Sequence, residues 1–573
     1  MKKMVFCLIW TIILSALSFS QEGYIFPLKE NRELSSIFAD HRSFHFHSGI
    51  DFKTGEKTGL EVYAVKSGWV YRLFASWWGY GKAVYLKHPD GQLTLYAHLS
   101  DFSEKLKKIV TGEQLRNKRY RADIFPQDTI RIELGELIGY SGETGTGEPH
   151  FHFEIRDEKN RPLNPLTSGL SIPDTILPVF ASIGIRPLDL NSYVDDSADI
   201  KIYPLHFDSS QQVYTSKEIP IVEGNIGIEV SAYDQMAEKG SRFGVYKLEL
   251  FLDSLLVFSS HYETIDFENS WKVELDRDFG LLRKREGEFY KLYLDYGNDL
   301  PLYYSVNRGI LEFPDSGFHQ LKILAQDASG NISRSKLILL AVHPRVYEVL
   351  KTENPRFFMT ANKDKIISQS EDGFARLEID SGSVFKKIAL QVKKLGLPRM
   401  ARQRSSFYSF LPSDIPLAKP AKITIRCMEG KCRLAKTGLY ELLGSTFKFT
   451  GQEIDTANNS ISGEVRDLST YVLLEDKNAP GIRELYPKPG QKINVKELII
   501  SARVSDDLSG IGSDQDIEVY LDGDWQIPEY DPEKLILICK PLKTLSQGWH
   551  KVVIKAKDRM GNKKTVKSRF KII

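Results

Sequence analysis

Five residues have the types and spacing for hydrolytic metal chemistry. They are His47 and Asp51 in HSGID, His98 in LYAHL, and His150 and His152 in HFH. Residues two apart in a strand point to the same face, so His150 and His152 project together from a strand bounded by the turn TGTGEP. Two histidines and one carboxylate make a three-ligand zinc set, and the open fourth position is what a catalytic site needs for water. Zinc lowers the pKa of such a water and polarises a carbonyl. Two further histidines would supply proton transfer and oxyanion stabilisation. Spacing alone does not say which histidine binds and which catalyses. The chain has no Cys-x-x-Cys, so a thiolate-ligated zinc site is not expected.

These residues lie in a head dense in strand signals. VYAV, GWVYRLF, KAVYLKH, QLTLYAHL and FHFEIR are β-branched and aromatic runs separated by Gly, Asp-Gly and Pro-Asp-Gly turns. Only 103–121 reads as helical, with seven Lys/Arg against two acids. A solvated helix face is the plain reading, and a surface for an anionic polymer near the active site is the sharper one.

Beyond about residue 170 long alternating strands dominate. GFHQLKILAQDASGN (317–331) matches GWHKVVIKAKDRMGN (548–562) at a constant offset of 231 residues. Upstream, VSAYDQMAEKG then YKLELFLDS parallels ARVSDDLSG then IEVYLDG. Asp253 precedes Gly317 by 64 positions and Asp522 precedes Gly548 by 26, so the first copy holds about 38 extra residues, read as an inserted hairpin. The pattern resembles bacterial immunoglobulin-like modules, which implies two-sheet sandwiches. Asp327, Asn331, Asp558 and Asn562 suggest calcium, but Asx turns use such residues to cap their own backbone.

A chain of 573 residues predicts three or four domains. Residues 1–20 have two lysines, an apolar run and small residues before Gln21, a signal-peptide pattern that predicts export to the periplasm, cell envelope or exterior. No later stretch approaches 18 apolar residues, so no transmembrane segment is expected after cleavage. Without the leader, Lys+Arg and Asp+Glu both number 75, which argues against an electrostatic grip on nucleic acid or anionic lipid. The expected division is 21–170 head, 171–345 sandwich with insertion, 346–475 β-rich unit of unassigned family and 476–573 sandwich. Cys427 and Cys432 flank MEGK and could close that turn as a disulfide, whereas Cys539 in LILIC reads as a buried thiol.

The head resembles the lysostaphin-like, LytM-type zinc endopeptidases. HSGID (47–51), GYG (79–81), TLYAHLS (94–100), GELIGYSGETG (135–145), HFHFEIR (150–156) and Asn164-Pro165 follow the family's motifs in order, over about residues 24–170. The resemblance implies a small antiparallel β domain with Zn2+ on the floor of a groove. It implies His47, Asp51 and His152 as ligands, and His98 and His150 as the catalytic pair that activates water and stabilises the tetrahedral intermediate. Tyr80 falls at a cleft-wall position and Thr94 at a supporting one, while His41 and His45 match nothing. The family passes from its His-Leu segment to the Gly-x-x-Ile-Gly segment within about twenty residues. Here Leu99 to Gly135 takes 36, so 103–134 is an insertion expected to rim or cover the cleft. The function implied is hydrolysis of peptide stems or cross-links of peptidoglycan, with an envelope protein as a possible partner of the β modules. The alternatives are a catalytically silent activator of other wall hydrolases and a peptidase acting on an envelope protein.

Overall fold

Apolar residues at every second position make this chain mostly strand, and the strands stack into paired sheets. The computed structural model describes residues 24–29, 32–170, 172–189, 191–343, 358–359, 365–385, 388–428, 432–494 and 498–573. The leader expected at 1–20 lies outside them. Among the described residues no helix is long and apolar enough to cross a membrane.

The head is built on β1 (Leu34–Ser36), β2 (Ile50–Lys53), β3 (Gly68–Ala75), β4 (Lys82–Lys87), β5 (Leu93–Ala97), α1 (Glu104–Asn117), β6 (Ala122–Ile124) and β7 (His150–Arg156). The strands order β1-β2-β7-β5-β4-β3-β6 in one sheet. The sequence HFHFEIR splits by its period of two. Phe151, Phe153 and Ile155 are fully buried in the head core, each contributing about 1.5–3 kcal/mol, while His150, His152, Glu154 and Arg156 take the other face.

Three two-sheet units follow. Sheets of four and nine strands span 179–342, two five-stranded sheets span 366–475, and sheets of four and five strands span 481–572. Each unit has an apolar core, and the first and last of these also take in head residues, Phe38, Ala39 and Phe46 in the first and Trp77 and Tyr120 in the last. Cys427 and Cys432 are joined as a disulfide, and Cys539 is a buried free thiol.

The extra residues of the first copy are not a hairpin alone. Strand Leu255–His261 leads into short helices at Phe267–Lys272, Val273–Asp276 and Phe279–Lys284. Asp266 and Asp278 start two of these by accepting from the backbone N–H groups of Glu268 and Leu281, a capping signal that ends the strand pattern.

The insertion after Leu99 does not cover the cleft. Helix α1 lies beside the sheet edge made by β6, and the stretch after it docks on the last sandwich. Arg119 pairs with Asp514 at 2.9 Å, and Tyr120 and Trp77 sit in the core of that sandwich. Trp77 is 2% exposed and its indole N–H donates to the Pro528 carbonyl at 3.2 Å. Lys82 reaches Glu529 at 2.8 Å, and Lys534 reaches Glu143 at 2.5 Å. The chain thus closes a ring in which its last unit returns to its first. Trp77→Ala is expected to cost about 3–5 kcal/mol of this docking. Limited proteolysis would then cut the last sandwich free faster than in the parent, and equal cutting rates would contradict the buttress.

Candidate metal centre and groove

Register places the first pair of candidate ligands. β7 lies between β2 and β5, and His152 stands directly opposite Asp51 on one side and Ala97 on the other. His47 arrives from the turn before β2. His47 Nε2, His152 Nδ1 and Asp51 Oδ1 converge at mutual separations of 3.1, 2.7 and 3.1 Å.

The tautomers are set by acceptor-only neighbours. His47 Nδ1–H donates to the Ile37 carbonyl at 2.7 Å, which leaves the Nε2 lone pair for the centre. His152 Nε2–H donates to Glu154 at 2.9 Å, which leaves Nδ1. Three acceptor atoms about 3 Å apart repel unless a cation or proton lies among them. Burial disfavours the charged form of His152, yet its bonds to Asp51 and Glu154 outweigh this and push it up to about 9. Asp51 is buried too, and the adjacent His47 and His152 hold it well below the carboxylate range. The donor set therefore fits a divalent cation of the zinc class, which would displace that proton.

Beneath the centre is a network that sequence reasoning missed. Glu154 is 0% exposed and its Oε1 accepts from His152, Tyr80 at 2.7 Å and Ser48 at 2.7 Å, while Oε2 accepts from Arg156 at 2.6 Å. Burial would raise the Glu154 carboxyl, but Arg156 and His152 hold it far below normal. The signal was available, because Glu154 shares the face of His150 and His152 by the same period of two. Tyr80 both lines the groove and ties into this network. Thr94 lies within β5, fully buried, and bonds to His88 at 2.8 Å.

His98 and His150 form a second pair, with ring centroids 4.6 Å apart. Strand alternation beyond Ala97 would turn His98 away from His152. A φ of 56° at His98 breaks the alternation and brings its ring to 5.6 Å from that of His152, at a backbone cost of about 1–3 kcal/mol. The Thr144 carbonyl holds His98 Nδ1 at 2.9 Å and the Glu148 carbonyl holds His150 Nδ1 at 2.8 Å, so both present Nε2 lone pairs. Burial lowers both rings, His98 to about 3 with help from the nearby His150 and His152. The GYG and GETG motifs support this arrangement. A Cβ on Gly81 would lie 1.9 Å from the Thr144 carbonyl oxygen, so only glycine lets the two turns touch.

The groove above these residues has one wall from the head and one from the body. Phe267, Trp271 and Arg466 face His45, Tyr80 and Thr146 across it, and no residue of 103–134 lines it. The body wall is anchored. Phe46 N–H donates to Ser270 at 2.9 Å, Phe44 N–H donates to Glu274 at 2.7 Å, and His41 meets Glu274 at 3.3 Å.

The chain is similar to known proteins over this head. It is 34% identical to the DD-carboxypeptidase/endopeptidase Mpg of Neisseria meningitidis serogroup B, over 23% of this chain and 25% of that one. It is 31% identical to an uncharacterized metalloprotease of Haemophilus influenzae, over 26% and 27%. It is 26% identical to the lipoprotein NlpD of Yersinia enterocolitica, over 19% and 88%. The chain thus spans about a quarter of the length of the first two relatives. The family model stops within α1, where the insertion begins, and so covers His47, Asp51 and His98 but not His150 or His152. Residues 45–116 match Peptidase family M23, and the chain carries an M23 domain near its N-terminus, followed by β-sheet units.

Proposed function

We propose that the protein is an exported zinc metalloendopeptidase that hydrolyses peptide bonds in peptidoglycan stems or cross-links. One observation carries this reading: three buried lone pairs converge on one point, and beside it two further histidines, His98 and His150, have Nδ1 held by a backbone carbonyl so that Nε2 faces the centre, His150 Nε2 lying 3.8 Å from Asp51. The M23 match and the name of Mpg support the peptidase class and direct attention to D,D-peptide bonds. We assign His47, Asp51 and His152 to the metal, His98 and His150 to catalysis, and the units 21–170, 171–345, 346–475 and 476–573 to separate domains.

A bound Zn2+ would supply a Lewis acid for the scissile carbonyl and for the attacking water. The chain's own residues do the rest. Neutral His98 and His150 accept a proton at Nε2, and the resulting imidazolium donates to the tetrahedral oxyanion or the leaving amine. The carbonyls of Thr144 and Glu148 keep each ring in the tautomer that allows this. Glu154 orients His152. A groove walled by Phe267 and Trp271 favours a slim, extended peptide.

The test is digestion of purified sacculi by the mature chain, with products read by mass spectrometry. Release of cut cross-links should stop with a zinc chelator and return on adding Zn2+. A zinc-loaded protein that releases nothing would reject the reading. If that protein instead accelerates another wall hydrolase, the silent activator replaces it.

A further inference from the structure

Two three-carboxylate clusters outside the groove repeat the same design. Asp174, Asp234 and Asp327 bring carboxylate oxygens within 4.8 Å of one another, and so do Asp476, Asp506 and Asp558. The positions correspond one by one. Asp174 and Asp476 each stand four residues before a proline that leads into the first strand of a sandwich. Asp234 and Asp506 each follow directly on a strand, Ile226–Tyr233 or Ile500–Ser505. Asp327 and Asp558 open the turns that repeat at an offset of 231.

Turn capping satisfies only part of each set: the Ile176 N–H donates to Asp174 at 2.9 Å, the Asn478 N–H to Asp476 at 3.2 Å and the Gly510 N–H to Asp506 at 2.8 Å. Asn331 bonds Asp327 at 2.7 Å, and Asn562 bonds Asp558 at 2.8 Å. Asp234 is 2% exposed and its Oδ1 has no hydrogen-bond partner. Asp174 and Asp506 are half-buried, and one covered oxygen of each, Asp174 Oδ2 and Asp506 Oδ1, has no hydrogen-bond partner. Burial, and then the like charge of Asp327, push the Asp234 carboxyl up to about 7. A buried carboxylate normally has a cation or a full set of donors.

We propose that Asp174, Asp234 and Asp327 bind a Ca2+ ion where the head meets the first sandwich, and that Asp476, Asp506 and Asp558 bind a second where the third unit meets the last. All side-chain donors are hard oxygens drawn from three separate segments, an irregular set that suits Ca2+ better than octahedral Mg2+. The clusters sit at joints. Ile172, Met236 and Ala328, each within two residues of a first-cluster aspartate, pack on the head core. Leu508 packs on the third unit, and Lys436 from that unit donates to Asn562 at 2.7 Å. Each ion would tie a linker to two loops and fix the angle between neighbouring units. This proposal does not depend on the peptidase reading.

The experiment is a calorimetric Ca2+ titration of the mature full chain, stripped with chelator, dialysed and given one equivalent of Zn2+. Extracellular Ca2+ modules have Kd values of about 10⁻⁴–10⁻³ M, so the titration runs to about 5 mM. The expected result is two Ca2+ per chain, one in Asp234→Asn, one in Asp506→Asn and none in the double variant. The wild-type melting temperature should rise with Ca2+ and not with equal Mg2+. This second readout requires no variant to fold. Absence of binding, two ions retained by the double variant, or equal stabilisation by Mg2+ would overturn the assignment.

Discussion

His98→Ala is expected to keep one zinc per chain and to lower release of sacculus fragments by about 10²–10⁴-fold, the range for loss of general acid–base catalysis. The ring makes no bond to the three converging atoms, so the metal set survives its removal. What disappears is an Nε2 lone pair held ready by the Thr144 carbonyl at 2.9 Å. His150→Ala should behave alike, because the Glu148 carbonyl holds that ring in the same way. His152→Ala and Asp51→Ala should lose metal and turnover together, since two protein ligands are too few for a tight site. Metal content after dialysis, read beside fragment release, separates the two classes. A His98→Ala protein with normal zinc and full activity would reject the division of roles.

The second large effect is expected at Glu154. Glu154→Ala removes the acceptor of His152 and strands Arg156, which has the carboxylate as its ion-pair partner at 2.6 Å. Removing one member of a buried pair costs about 3–5 kcal/mol. Loss of a partner that orients a ligating histidine lowers metal affinity by about 10–100-fold. Glu154→Gln keeps the shape and an acceptor oxygen, so it should fold better and still bind metal more weakly than the parent. Competition with a chelating dye gives the affinity and urea unfolding gives the stability. A folded Glu154→Gln chain with unchanged metal affinity would show that the network supports the fold alone.

Much of the head was legible because strand chemistry is local. HFHFEIR alternates, so its apolar members mark one face of the sheet and its polar members the other, and the structure keeps that split along β7. The repeated strand and turn at 317–331 and 548–562 likewise appear as matching strands, Gly317–Gln326 and Gly548–Lys557. The inserted segment was misread as a hairpin because its helices are four to six residues long, too short to show a period. The basic stretch after Leu99 was expected at the cleft because it follows the strand that leads into His98. Composition could not reveal that Asp514, nearly four hundred residues away, is the partner of Arg119.

The sequence was sufficient for which residues are candidates for metal chemistry and for which residues share a strand face, since both follow from residue type and a period of two. Tertiary structure decided what depends on distant segments meeting. The register setting His152 against Asp51, the left-handed turn at His98, the body wall at Phe267 and Trp271, and the docking of Trp77 under the last sandwich are all of this kind. Each is a contact between parts of the chain whose local patterns are silent about one another. Close packing and the need to satisfy buried charge select these contacts only when the whole chain is folded.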